Sequence, residues 1–238
     1  MMKETTLLLA SGFFLALAPM QQTHAGELYD YKIPRESSDW CNIMLSTKPA
    51  NGRELPLVLL VGDSITSRYS GEVRAALSDK AYTSMLATSK AVGDPALLDE
   101  IRLVLRQNRY AVIHFNFGLH GGIAGYRQGF PEMLDTIRRY APEAKLIWTT
   151  TTPCQQADGG PDKNVIERNK IAAEHIAKAG LAVDDLYSLV ANHSGKLWDQ
   201  GGVHYLAEGT ALQSKQVAEA IALMLPSLPN EPESKSNK

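Results

Sequence analysis

The stretch Leu57-Val58-Leu59-Leu60-Val61-Gly62-Asp63-Ser64 sets the expected fold. Five apolar residues in a row, with no polar alternation, mark a strand buried on both faces, as in a parallel sheet covered by helices. Gly62 permits a tight bend at the strand's end, and Ser64 stands just past the tip. Outward from here the chain alternates. Gly71–Leu77 reads as a short helix and Tyr82–Ala87 as a weak strand. Asp94-Pro95 has the form of an N-cap followed by proline at the first helical position, and Leu97, Leu98, Ile101, Val104 and Leu105 follow at helical spacing. Ala111–Phe115 is a strand, Pro131 opens a helix with Met133, Leu134 and Ile137 on one face, and Ala144–Thr149 is a strand. Val165–Ala179 is helical and Gly180 stops it. Leu181–Leu186 is a strand, and Glu208–Leu225 a closing helix before Pro226. Strands alternating with helices predict one α/β domain with about five parallel strands. Ligands of such sheets bind beyond the carboxyl ends of the strands, so a motif just after a strand carries most weight.

Composition narrows the function classes. The chain has 238 residues, with 24 Lys and Arg against 26 Asp and Glu, a net charge of −2. There is no basic excess for a nucleic-acid backbone. Hydrophobic residues at 44% are too many for wholesale disorder, and two cysteines too few for a disulfide-dense miniature scaffold.

Residues 1–25 read as an export signal: Lys3, an apolar run from Leu7 to Pro19, and Thr23-His24-Ala25 before the cut. The run is shorter than the roughly 20 residues that span a bilayer, and no later segment is long and apolar enough. The expectation is an exported protein, periplasmic or extracellular, with one domain at 26–226, a loop-rich lead-in to Leu55, and a disordered polar tail at 227–238. Export places Cys41 and Cys154 where a disulfide can persist. A bond between them and two free thiols both remain open.

Three pieces carry chemistry. Ser64 at a strand tip is a nucleophile if a base serves it; otherwise it is a helix N-cap. Asp199-Gln200-Gly201-Gly202-Val203-His204-Tyr205 precedes the last helix. His204 in that loop can take the Ser64 proton and return it to a leaving group, with Asp199 as the local carboxylate to orient it. The bland alternative for His204 is a helix-start histidine bonded to backbone. His114-Phe115-Asn116-Phe117-Gly118-Leu119-His120-Gly121-Gly122 ends a strand. There Asn116, His120 or the Ser64 N–H can donate to an oxyanion; a glycine turn with buried side chains is the alternative. His114 and His120 lack a familiar metal spacing and an accompanying acidic or cysteine cluster, so no metal and no cofactor is expected. Tyr69, Tyr126 and Trp198 are isolated aromatics, which more often pack in a core.

Together these residues resemble the SGNH hydrolases, also called the GDSL esterase/lipase family. Gly62-Asp63-Ser64 matches the nucleophile block, Gly202-Val203-His204-Tyr205 the end of the Asp-x-x-His block, and Gly118-Leu119-His120-Gly121 stands where the family has Gly-x-Asn-Asp. Glu208-Gly209, Thr151-Thr152-Pro153 and Asp185-Leu186-Tyr187 also fit, so the resemblance covers about residues 56–225. It implies a three-layer α/β/α, flavodoxin-like sandwich and metal-free ester hydrolysis, with Ser64 as nucleophile and His204 as base. It further implies an oxyanion hole from the Ser64 N–H, a glycine, for which Gly93 is the candidate, and an asparagine. Two departures stand out. The family's acid lies three residues before the histidine, where this chain has Gly201; Asp199 lies five before, and reaches the imidazole only if the loop bulges. Otherwise a Ser–His dyad remains. His120 replaces the asparagine, with Asn116 as the competing donor.

The resemblance predicts an exported serine esterase acting on a small-molecule or carbohydrate ester, with a carbohydrate O-deacetylase as its more specific form. A lysophospholipase or thioesterase is the enzyme alternative. A glycan-binding protein on a decayed hydrolase scaffold is the non-catalytic one.

Overall fold

The computed structural model describes residues 35–48, 53–154, 162–191, 193 and 197–227. The expected signal at 1–25 and nearly all of the expected tail lie outside the described residues. Six strands and six helices follow in the order β1 (Cys41–Met44), β2 (Leu57–Gly62), α1 (Ser64–Ala76), β3 (Tyr82–Thr88), α2 (Pro95–Leu105), β4 (Val112–Phe115), α3 (Ile123–Tyr140), β5 (Lys145–Thr149), α4 (Lys163–Ala179), β6 (Ala182–Asp184), α5 (Leu186–Ala191) and α6 (Ala207–Met224).

The sheet order is β1-β3-β2-β4-β5-β6. The five strands from β3 to β6 are parallel, and β1 joins the β3 edge antiparallel. The parallel part has the doubly wound order whose direction reverses at the first strand. Here that strand is β2, flanked by β3 and β4, so the crevice opens beyond Gly62 and Phe115.

The unbroken apolar run of β2 serves both faces. Leu59 and Val61 pack with Ile113, Phe115, Leu97, Phe130 and Ile171 under α2, α3 and α4. Val58 and Leu60 pack with Ile65, Tyr69, Leu186, Val217 and Ile221 under α1, α5 and α6. Each fully buried side chain of this size contributes about 1.5–3 kcal/mol. The result is a three-layer α/β/α sandwich.

Four elements differ from expectation. Helix α1 begins at Ser64, not Gly71, because the Asp63 carboxylate caps it by accepting the Ile65 N–H at 3.0 Å. Helix α3 begins at Ile123 and carries Pro131 inside it. An internal proline costs about 3 kcal/mol; burial of Tyr126, Phe130, Met133, Leu134 and Ile137 on the same helix offsets it. Strand β1 falls in the segment expected to be loop; three of its four residues are exposed, so no apolar periodicity announces it. Strand β6 ends at Asp184, and Leu186 starts α5.

Among the described residues no helix is long and apolar enough to cross a membrane.

Candidate active site

Ser64 leaves β2 at the topological switch point and becomes the first residue of α1. Gly62 makes this approach possible: a Cβ there would lie 2.8 Å from the Asn116 carbonyl oxygen and would strike the Thr66 hydroxyl. As the first helical residue, Ser64 has a backbone N–H without an intrahelical acceptor, at the positive end of the helix dipole.

His204 arrives from the other end of the chain. Its Nε2 lies 2.8 Å from Ser64 Oγ. The loop before α6 is a tight hairpin. The Asp199 N–H donates to the His204 carbonyl at 2.8 Å and the Gly202 N–H to the Asp199 carbonyl at 3.1 Å. Trp198 and Tyr205 form an antiparallel bridge, and Gly202 takes φ +67°, which the turn requires. This closure carries the Asp199 carboxylate back to 3.8 Å from His204 Nδ1. That is ion-pair reach and longer than a hydrogen bond. Asp199 is otherwise held by the Gly201 N–H at 3.0 Å and faces Arg68 at 3.9 Å.

The electrostatics favour a neutral imidazole. Burial holds His204 below the usual histidine range, and Arg68 adds to it; Asp199 and Asp63 pull the other way. With Nε2 accepting from the Ser64 hydroxyl, the ring hydrogen sits on Nδ1, facing Asp199.

His120 lines the same cavity of about 510 Å³ as Ser64, His204, Glu36, Trp40 and Asp162. Its Nδ1 lies 2.7 Å from Glu36 Oε1. The loop that carries it is gripped by Arg168 of α4. That buried guanidinium donates to the carbonyls of Gly118 at 2.8 Å, Leu119 at 3.4 Å and Gly121. Asp63, fully buried behind Ser64, has its carboxyl pushed up by desolvation; His120 and the Ile65 and Gly118 N–H groups act against that.

Two of the expected oxyanion donors, Asn116 and Gly93, are not among the residues that line this cavity. The Asn116 amide donates to the Thr149 carbonyl at 2.7 Å, and its oxygen accepts from the Thr151 hydroxyl at 3.3 Å. These bonds tie the ends of β4 and β5 and leave one amide hydrogen over. Gly93 has φ +97°, and a Cβ there would lie 2.8 Å from the Gly125 carbonyl; its glycine character serves close packing on α3. Ser64, His204, Asp199 and His120 are the expected site residues that the fold brings together.

His114 stands apart from them. Its Nε2 pairs with Asp184 at 2.9 Å, and Gln216 of α6 donates to the same carboxylate at 2.6 Å. Among the described residues no group of three or more His, Cys, Asp or Glu is placed to hold a metal ion. Cys41 and Cys154 are both free, the first exposed and the second buried, which removes the disulfide alternative. Burial pushes the Cys154 thiol up to about 12. Tyr69 and Tyr126 are core residues, and Trp198 packs on Tyr205 at 5.7 Å.

Glu36, Trp40, Asp162 and Arg168 were missed from sequence. The first two lie in a lead-in without periodicity. Asp162 is the N-cap of α4, and Arg168 sits in a helix whose charges look solvated.

Neither the protein-family models nor the curated proteins contain a match to this sequence. Solved structures do match. The lipase/acylhydrolase from Enterococcus faecalis is similar at TM-score 0.59 and 18% identity, over 74% of this chain and 100% of that one. A carbohydrate esterase family 3 protein from Talaromyces cellulolyticus is similar at TM-score 0.58 and 16% identity, over 71% and 98%. A member of the lipolytic G-D-S-L family from Veillonella parvula is similar at TM-score 0.52 and 18% identity, over 68% and 96%. At these identities the likeness is one of fold: this chain carries the α/β/α fold of the SGNH hydrolases.

Proposed function

We propose that this chain is an exported serine esterase that works through a Ser64 acyl-enzyme. The observation that carries the proposal is the 2.8 Å contact between Ser64 Oγ and His204 Nε2, at the switch point of a doubly wound sheet. As Ser64 Oγ attacks the acyl carbon, its proton passes to His204 Nε2. The imidazolium then gives that proton to the leaving alkoxide, and the alcohol departs. Water attacks the acyl-enzyme, gives one proton to His204 and releases the carboxylic acid; the proton returns to Ser64. Asp199 stabilises the transient imidazolium through space, and the Ser64 N–H supports the oxyanion. The depressed basicity of His204 supports this, because the neutral ring is the one that accepts.

The cavity favours a short acyl group on a hydroxylated alcohol. Its wall mixes Trp40, Leu119, Cys154 and Val203 with the polar side chains of Glu36, His120 and Asp162, and an aromatic side chain beside carboxylates offers a sugar ring both a stacking surface and hydroxyl partners. The similar fold of a carbohydrate esterase is in keeping with a carbohydrate O-deacetylase. Export rests on the signal pattern of residues 1–25.

The test is turnover of p-nitrophenyl acetate, p-nitrophenyl palmitate and an acetylated oligosaccharide by wild type, Ser64→Ala and His204→Ala. Acetyl esters should be hydrolysed and both variants should lose about 10³-fold or more. Turnover confined to the palmitate would favour the lipid reading. No Ser64-dependent turnover on any ester would leave a binding protein.

A further inference from the structure

We infer that Tyr205 is the positioning residue for the base of this same centre: its phenol, bonded to the Pro153 carbonyl, holds the hairpin so that the neighbouring His204 faces Ser64. The inference rests on the serine esterase reading above.

The hairpin from Leu197 to Leu206 is short. Its ribbon bonds run from the Asp199 N–H to the His204 carbonyl at 2.8 Å and from the Leu206 N–H to the Leu197 carbonyl at 2.7 Å. A two-stranded ribbon of this size is marginal by itself. Its ion pair to α1, between Arg68 and Asp199 at 3.9 Å, is long and partly exposed, and such pairs contribute little. Tyr205 supplies a firmer tie. Its hydroxyl donates to the Pro153 carbonyl at 2.9 Å, and the residue is 3% exposed. A carbonyl only accepts, so the phenol must keep its hydrogen. Burial pushes that phenol well above the usual tyrosine range.

Alternation along the ribbon turns this tie into a constraint on the base. Tyr205 pairs with Trp198 in an antiparallel bridge, and successive side chains of an extended strand point to opposite sides. Tyr205 on one side commits His204 to the other, where its Nε2 meets Ser64 Oγ at 2.8 Å. A slip of one residue would exchange the two.

Both ends of the tie are anchored. The Tyr205 ring packs on Trp198 at 5.7 Å and against the first turn of α6. Gly209 leaves the room for it there: a Cβ at that position would lie 2.9 Å from Tyr205 Cδ1 and 3.1 Å from Leu197 Cβ. On the other side, Pro153 closely follows Thr151, which Asn169 of α4 clasps by two bonds. The Thr151 N–H donates to Asn169 Oδ1 at 2.8 Å, and Asn169 Nδ2 donates to the Thr151 carbonyl at 2.9 Å. Cys154, next in the chain after Pro153, lines the cavity together with Ser64 and His204. One hydroxyl thus joins the base to a wall of the cavity. A base held between anchored elements is preorganised for proton transfer.

Tyr205→Phe removes the hydroxyl and keeps the ring. On p-nitrophenyl acetate its kcat should fall about tenfold, with KM within about twofold. Labelling of Ser64 by a fluorophosphonate should slow by the same factor. In the His204→Ala background the same substitution should cost nothing further, because the group it positions is gone. Gly209→Ala crowds the ring and leaves the hydroxyl. It should show the same pattern: slower labelling beside His204, and no added loss without it. Circular dichroism checks that each variant folds. An unchanged kcat in Tyr205→Phe, or an equal loss in the His204→Ala background, would overturn the inference while Ser64-dependent turnover still stood. Absence of Ser64-dependent turnover in wild type would instead overturn the reading beneath it.

Discussion

The Asp199 carboxylate stands 3.8 Å from Nδ1 of His204, five positions away in sequence and across a hairpin. Distance and exposure both weaken the pair: each side chain is 30% exposed. An Asp hydrogen-bonded to its histidine can be worth about 10⁴ in a serine protease. Asp199→Asn should therefore cost less, about 10–100-fold in kcat/KM. A loss near 10⁴ would show that the pair closes to a hydrogen bond during reaction. No loss would show a working dyad.

His204 sets the acid limb of the rate. Its basicity is depressed by burial first and by Arg68 second, so kcat/KM should reach half its maximum below the ordinary histidine value of about 6.5. Removing the cation makes the imidazolium easier to form. Arg68→Ala should therefore shift the limb to higher pH, and it also releases Asp199 from its contact at 3.9 Å. A shift to lower pH would contradict this account of the charge balance.

Gly202 holds the hairpin with φ +67°. An alanine there costs about 1–2 kcal/mol from the left-handed conformation, and relief of that strain displaces His204 from Ser64. Gly202→Ala should lower the unfolding free energy measured in urea by that amount and cut kcat/KM about tenfold. Gly201→Ala should be milder in stability, since among the described residues its Cβ would meet only Asp199 Oδ1, at 3.3 Å.

The parallel sheet was legible in sequence because it rests on a local signal, whereas the meeting of Ser64 with His204, 140 positions apart, was expected from the resemblance to the SGNH hydrolases. The run Leu57–Val61 announces a two-sided strand, and Gly62 and the Gly201-Gly202 pair announce bends. Strand β1 was not legible, since it is exposed and borrows its order from β3. Glu36 and Trp40 enter the cavity through that borrowed order, so nothing local marks them. Asn116 is ambiguous for a different reason: a polar residue at a strand end fits both an oxyanion donor and a tie to the next strand, and the bond to the Thr149 carbonyl at 2.7 Å shows the tie. The disulfide alternative failed similarly, because spacing along the chain says nothing of approach in space.

Arg168 is 5% exposed and makes its bonds as a fork to three backbone carbonyls. Lysine keeps the charge but not the fork. Arg168→Lys should destabilise by about 1.5–3 kcal/mol and lower kcat/KM by loosening the His120 loop. An unchanged denaturation midpoint would show that backbone geometry alone holds the Gly118–Gly121 turn.

The most direct test of the central claim is the intact mass of the chain after exposure to a fluorophosphonate, with the adduct located by peptide mapping. The account predicts one adduct, on Ser64, absent in Ser64→Ala and slowed about 10²–10⁴-fold in His204→Ala. No adduct, or one on another residue, would contradict it.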